Sequence, residues 1–235
     1  MQQIITLGGG DFAAADMRVM YRYILEQSGV AHPKISFLPQ AGGENLDYIV
    51  RFYRLFVELG AIPSHLSLFN PHTAAIEDYL MAQNVIYVGG GNTKSMLALW
   101  REWGLDQILH NAANNGTVLA GVSAGAICWY EAGSTDSIPG RLSGLPCLGY
   151  LRGSCSPHYD GEPLRRPEFQ RMISSGELPA GVAFDDGAAG HFIDGQLAQV
   201  ISARPNAKGY RVERDGAAAR ETVLDTRFLK DADHV

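Results

Sequence analysis

The chain has 235 residues, 46% of them hydrophobic and 19% charged, with a formal net charge of −6. That length suits one large α/β domain over residues 1–235, and the acidic balance argues against a general binder of nucleic acid or of anionic membranes. Cys128, Cys147 and Cys155 show neither a paired framework nor a metal spacing, which points to reduced thiols in a cytoplasm. The N-terminus lacks the basic and apolar regions of a secretory signal, and no apolar run approaches a membrane span.

Residues 4–7 predict a first buried strand, ended by the permissive turn Gly8-Gly9-Gly10-Asp11. Met17, Met20, Tyr21 and Ile24 recur at helical spacing up to a stop at Gly29. A second strand at 35–38 closes at Pro39, and Leu46, Ile49, Val50 and Tyr53 mark a second amphipathic helix that stops at Gly60. Residues 65–69 predict a third strand, with Thr73 as the cap of a helix bearing Ile76, Tyr79 and Leu80. The strand at 85–88 leads into Gly89-Gly90-Gly91-Asn92-Thr93, a helix with Met96, Leu97, Trp100 and Trp103, and a shorter one around Leu105, Ile108 and Leu109. This alternation predicts a mostly parallel sheet with helices on both faces. Residues 134–153 are rich in Gly, Ser and Pro and read as loop, followed by a helix around Phe169, Met172 and Ile173. Short runs near 182–184, 191–193, 197–201 and 210–212, with turn signals at Asp186-Gly187, Asp194-Gly195 and Asp215-Gly216, predict a C-terminal antiparallel extension.

The stretch with the most chemistry is Val118-Leu119-Ala120-Gly121-Val122-Ser123-Ala124-Gly125-Ala126-Ile127, a strand, an abrupt turn and the start of a helix. Gly121, Ser123 and Gly125 fit Gly-x-Ser-x-Gly, the pattern that pushes a serine hydroxyl clear of a sheet beside free amides at a helix start. The plain alternative is an N-cap serine. A nucleophilic serine needs a base and the base needs an orienting acceptor. His32, His65, His72, His110 and His234 fall in connections, helices or the tail. His158 follows a strand-like run and Pro157, where the next parallel strand would bring it beside Ser123; His191, in a predicted strand, is the alternative base. Asp136 and Asp186 are the candidate acids, and Asp160 stands too close to His158 in the chain to orient its ring.

Tyr87-Val88-Gly89-Gly90-Gly91-Asn92-Thr93, Gly121-Val122-Ser123-Ala124-Gly125-Ala126, Pro157-His158-Tyr159 and Asp186-Gly187 occur in this order. Together they resemble the peptidase E family of serine peptidases, which includes the cyanophycinases. The resemblance implies a fold like the class I glutamine amidotransferases, with Ser123 as nucleophile, His158 as base and either Asp136 or Asp186 as the acid. It implies an oxyanion hole from the amides of Gly90 and Ala124, and substrate contacts from Gly91, Asn92 and Arg166. The activity it implies is hydrolysis of dipeptides or short peptides with an N-terminal aspartate. The expected partner is a small peptide substrate, the chain acting as a monomer or homodimer. A cation such as Arg165 or Arg166 would read the aspartyl carboxylate. The rival readings are an isoaspartyl peptidase or esterase on the same scaffold, and a non-catalytic small-molecule binder. Dinucleotide binding at Gly8-Gly9-Gly10 lacks the G-x-G-x-x-G spacing, and the absence of HExxH or clustered Cys and His predicts no metal and no cofactor.

Overall fold

Short apolar runs alternating with amphipathic segments build two sheets with helices packed on them, in a computed structural model that describes residues 1–230. His234 lies outside the described residues. The first half runs β1 (Gln3–Leu7), α1 (Arg18–Glu26), β2 (Lys34–Leu38), α2 (Leu46–Glu58), β3 (Ile62–His65), α3 (Ile76–Met81), β4 (Val85–Val88), α4 (Thr93–Glu102), α5 (Leu105–Asn114) and β5 (Val118–Val122). Then α6 (Ala124–Ile127) opens directly after Ser123. The second half holds β6 (Tyr130–Thr135), β7 (Ser143–Pro146), β8 (Leu151–Ser156), α7 (Arg165–Ser175), β9 (Gly181–Phe184) and β10 (Ala188–Ile193). It closes with β11 (Gln196–Ser202), β12 (Gly209–Asp215), β13 (Ala218–Val223) and β14 (Thr226–Phe228).

The main sheet has the order β14-β11-β10-β1-β5-β4-β2-β3, and the second β13-β12-β9-β8-β6-β7. From β1 through β3 every pairing in the main sheet is parallel. Alternate residues of the inner strands face opposite layers, as the pleat requires. Ile5, Tyr87 and Ala120 pack with Met20, Ile24, Phe52 and Phe56 of α1 and α2. Ile4, Ile86 and Leu119 pack with Leu80, Met96, Trp100 and Leu109 on the other side, where the second sheet also docks through Cys155, Val182 and Phe184. Phe169, Met172 and Ile173 of α7 cover the second sheet at Ala183, Tyr210 and Val212. Burial of each such side chain stabilises the fold by about 1.5–3 kcal/mol. Among the described residues no helix is long and apolar enough to cross a membrane.

Several sequence expectations are corrected. The third strand lies at Ile62–His65, not at 65–69, because pairing with β2 ends at Phe37 and His65. Beyond it Leu66 and Leu68 are buried in a loop whose backbone is held by Gln40 and Glu44 side chains. In α2 the buried face is Ile49, Phe52, Leu55 and Phe56, whereas Leu46 and Val50 are exposed. Thr73 does not cap α3; its hydroxyl accepts from the amide of Ala75, the residue just before the helix. The stretch read as loop, 134–153, holds the end of β6, all of β7, which pairs with β6 antiparallel, and the start of β8. Asp186-Gly187 is no hairpin: β9 belongs to the second sheet and β10 to the main one, so this turn carries the chain between sheets. The C-terminal part is largely antiparallel, through β1–β10, β10–β11, β9–β12 and β12–β13, with β8–β9 and β11–β14 as parallel pairs.

The serine turn depends on two close approaches. A Cβ on Gly121 would lie 2.3 Å from the Gly125 carbonyl oxygen, and one on Gly125 would lie 2.3 Å from the Val88 carbonyl oxygen. Both obstacles are backbone and cannot swing away. Gly125→Ala is therefore expected to destabilise the protein by about 1–3 kcal/mol or more, read as a lower urea midpoint at unchanged m-value. An unchanged midpoint would show that β4 and α6 are not locked together as described.

Candidate active site

β5 ends and α6 begins on either side of Ser123, whose backbone is held at φ 57°, ψ −114°. A non-glycine residue persists there only when its surroundings force it. Ser123 makes no side-chain cap bond to α6, so its hydroxyl is not used as an N-cap. Its amide donates to the Leu7 carbonyl at 3.2 Å. The Ala124 amide, in the first turn of α6, has no intrahelical acceptor.

His158 follows β8 and also has a positive φ, 52°. Its amide donates to the Gly8 carbonyl at 3.1 Å, and the Gly187 amide donates to the Gly9 carbonyl at 3.0 Å. Three consecutive residues at the end of β1, Leu7, Gly8 and Gly9, thus hold the segments carrying Ser123, His158 and Asp186. His158 Nδ1 lies 2.7 Å from Asp186 Oδ1. A carboxylate only accepts, so Nδ1 carries the proton and Nε2 is left as the basic nitrogen. The hydrogen bond from His158 holds the Asp186 carboxyl below its usual range, against the opposing effect of burial. Asp160 accepts the Asp186 amide at 2.8 Å, steadying that turn. A Cβ on Gly9 would sit 1.8 Å from Asp186 Oδ1 and 2.8 Å from His158 Nδ1. The Gly8-Gly9 turn is therefore the floor under the His–Asp pair, a role that its sequence did not announce.

Ser123 opens into a cleft of about 250 Å³ lined by Gly91, Asn92, Asp136, Ser137, Glu162 and Arg165. Asp136 does not contact His158; 63% exposed, it lies 3.3 Å from Arg165 Nη2. Arg165, 2% exposed, also bonds Glu162 Oε2 at 2.6 Å and the Ser134 carbonyl at 3.0 Å. The structure turns Arg166 elsewhere. It pairs with Glu221 and stacks over Tyr159 and Tyr210, 5.4 and 4.9 Å from their ring centres. Adjacent residues at a helix start point about 100° apart, which is why one arginine reaches the cleft and its neighbour does not. The Asn92 side chain is occupied on both ends, accepting from the Ser95 amide at 2.9 Å as N-cap of α4 and donating to the Ser137 carbonyl at 2.9 Å.

Gly90 touches Ser123, since a Cβ there would lie 3.2 Å from Ser123 Cβ. Its amide, however, donates to the Tyr48 hydroxyl at 3.2 Å. Among the described residues the Gly91 amide has no acceptor, and Gly91 lines the cleft with Ser123. His191 is remote from this arrangement: it is 1% exposed and bonded to Tyr23 and Gln3 at 2.6 and 3.1 Å. Burial lowers its pKa. Among the described residues no group of three or more His, Cys, Asp and Glu could hold a metal ion.

The model of peptidase family S51 matches residues 4–200, a span that includes Ser123, His158, Asp186 and the residues lining the cleft. The chain belongs to peptidase family S51. It is 51% identical over 230 residues to the uncharacterized peptidase YgaJ of Bacillus subtilis (strain 168), covering 97% of this chain and 100% of that protein. A crystal structure of a peptidase from an acI-B1 actinobacterium superposes with a TM-score of 0.69 at 15% identity, covering 95% of both chains. A peptidase E protein from Listeria monocytogenes EGD-e superposes at 0.58 and 17% identity, over 96% of this chain and 100% of that one. These likenesses show the fold, and the S51 membership makes the chain a peptidase.

The lowered Asp186 pKa links the site to stability. A carboxyl depressed in the folded state contributes stability that is present above its unfolded pKa of about 4 and is lost as pH falls through the folded value. Wild type should accordingly be more stable than Asp186→Asn at pH 6, with the gap closing as pH falls from about 4 towards 2. Thermal melts across that range check it; a gap that stays constant to the lowest pH would mean that Asp186 is not held ionised by His158.

Proposed function

We propose that this S51 peptidase is a serine peptidase acting on dipeptides or short peptides with an N-terminal aspartate, through an acyl-enzyme on Ser123. The observation that carries the reading is the 2.7 Å His158–Asp186 pair, hung from the same three-residue stretch at the end of β1 as the strained Ser123. Ser123 Oγ attacks the scissile carbonyl carbon while His158 Nε2 takes its proton. Asp186 keeps the ring in the reactive tautomer and stabilises the imidazolium. The amides of Gly91 and Ala124 face the tetrahedral oxyanion. Collapse breaks the C–N bond, and the leaving amine takes the proton from His158. Water, deprotonated by the same histidine, then releases the acyl product.

The cleft composition supports a substrate with both charges at its N-terminus. Arg165 is flanked by Glu162 and Asp136, so a carboxylate and an ammonium each find a partner there. An N-terminal aspartyl residue carries both on one α-carbon and its side chain. Arg165 replaces Arg166 as the side chain suited to the aspartyl carboxylate. Cys128, Cys147 and Cys155 are free thiols, which fits action in the reducing cytoplasm.

Ser123→Ala should abolish labelling by a fluorophosphonate probe and lower kcat/KM on an Asp-Xaa dipeptide by about 10³-fold or more; hydrolysis at the wild-type rate would exclude the acyl-enzyme. The two acids should separate kinetically. Asp186→Asn is expected to lose orders of magnitude in kcat with KM little changed, whereas Asp136→Asn should act mainly on KM. A large kcat loss in Asp136→Asn beside a near-normal Asp186→Asn would reverse the two roles.

A further inference from the structure

A turn of three consecutive glycines has the most permissive backbone available, so its shape is set by what holds it. The Gly89 amide donates to the Leu38 carbonyl at 3.1 Å and the Asn92 amide to the Ala41 carbonyl at 2.8 Å. Between them the Gly90 amide donates to Tyr48 Oη at 3.2 Å. Among the described residues Tyr48 supplies the side-chain acceptor to this turn, and the Gly91 amide alone is left undonated. Two of the three restraints are backbone to backbone, and the third is a single hydroxyl 42 residues away.

Tyr48 is itself well fixed. Its amide is capped by Asn45 Oδ1 at 3.1 Å. Its ring sits against Phe12 and Phe37, with centroids 5.2 and 5.0 Å away. The turn packs against that ring, a Cβ on Gly89 being 2.8 Å from Tyr48 Cε1, and the Gly42 segment packs against it too, a Cβ there being 3.3 Å from Cδ1. Burial raises the phenol pKa, so the hydroxyl stays neutral and remains an acceptor for the amide.

We propose that Tyr48 is a positioning residue: by engaging the Gly90 amide it fixes the peptide planes of the glycine turn so that the Gly91 amide points at the oxyanion. This rests on the serine-peptidase reading above. Without the hydroxyl, the Gly90 amide has no protein acceptor and the glycine turn is free to rotate towards water, carrying the Gly91 amide out of line. Substrate binding in the ground state does not use that amide, whereas the tetrahedral state does.

The test is Tyr48→Phe, which keeps the ring and its packing and removes only the acceptor. Its kcat on an Asp-Xaa dipeptide should fall about tenfold or more, less than the 10²–10³ of losing an oxyanion donor outright, with KM within about twofold. Phosphonylation of Ser123 by a fluorophosphonate, which builds charge on the phosphoryl oxygen, should slow by a similar factor. Affinity for free aspartate as product should stay constant, a readout that general damage to the cleft would move. Unchanged kcat and phosphonylation, or an effect confined to KM or to aspartate affinity, would overturn the proposal. Failure of the wild type to react with the probe at all would instead remove the serine nucleophile, so the two failures are told apart.

Discussion

The carbonyls of Leu7, Gly8 and Gly9 accept the amides of Ser123, His158 and Gly187, and the rest of the site depends on that short piece of backbone. β1 lies between β5 and β10 in the main sheet, so the Ser123 turn arrives from its parallel neighbour and the Asp186 turn leads into its antiparallel one. His158 comes from the second sheet, after β8. Three segments from two sheets can meet only where no side chain stands between them. A Cβ on Gly8 would lie 2.3 Å from the Phe184 carbonyl oxygen, and one on Gly9 would overlap Asp186. The missing side chains therefore have a structural and a chemical consequence together: the sheets close, and imidazole and carboxylate come into hydrogen-bonding reach.

The same economy governs the hydrogen bonds around Ser123. Buried amides are expensive to leave unpaired, yet an oxyanion needs donors that are unspent. The fold pairs the Gly89, Gly90 and Asn92 amides and leaves those of Gly91 and, at a helix start, Ala124, the two donors that the proposed reaction would use. Charge is handled alike. Arg165 is almost wholly buried and shared by Glu162, Asp136 and a backbone carbonyl, so its guanidinium is held in one orientation. Arg166, one residue on, has its guanidinium committed to Glu221 and two tyrosine rings.

The part of this arrangement that is local in sequence was legible there. Gly121, Ser123 and Gly125 fall within five residues, and the reason for each glycine is contact with the next turn of the same chain or with β4. Most of the parallel half was equally plain, because β1, β2, β4 and β5 are largely apolar, buried runs; β3, Ile62-Pro63-Ser64-His65, is not, and was expected too far along the chain. What could not be read depends on distant partners. The choice between Asp136 and Asp186 turns on which loop meets His158: both follow strands of the second sheet, but the Asp186 turn crosses to the main sheet while Asp136 stays in the β6–β7 connection. Gly90 looked as free as Gly91 because its acceptor, Tyr48, lies on α2. Arg165 and Arg166 differ only in helical phase at the start of α7. The β6–β7 pair was hidden by its Gly, Ser and Pro content, which a strand at the sheet edge tolerates.

The most direct measurement is a crystal structure of the protein after reaction with a fluorophosphonate. The account predicts phosphorus bonded to Ser123 Oγ, with the phosphoryl oxygen about 3 Å from the amides of Gly91 and Ala124. His158 Nε2 should lie within about 2.6–3.2 Å of the Ser123 oxygen, its other nitrogen still bonded to Asp186. Phosphorus on a different residue, or an adduct on Ser123 with His158 turned away and paired with no carboxylate, would contradict it.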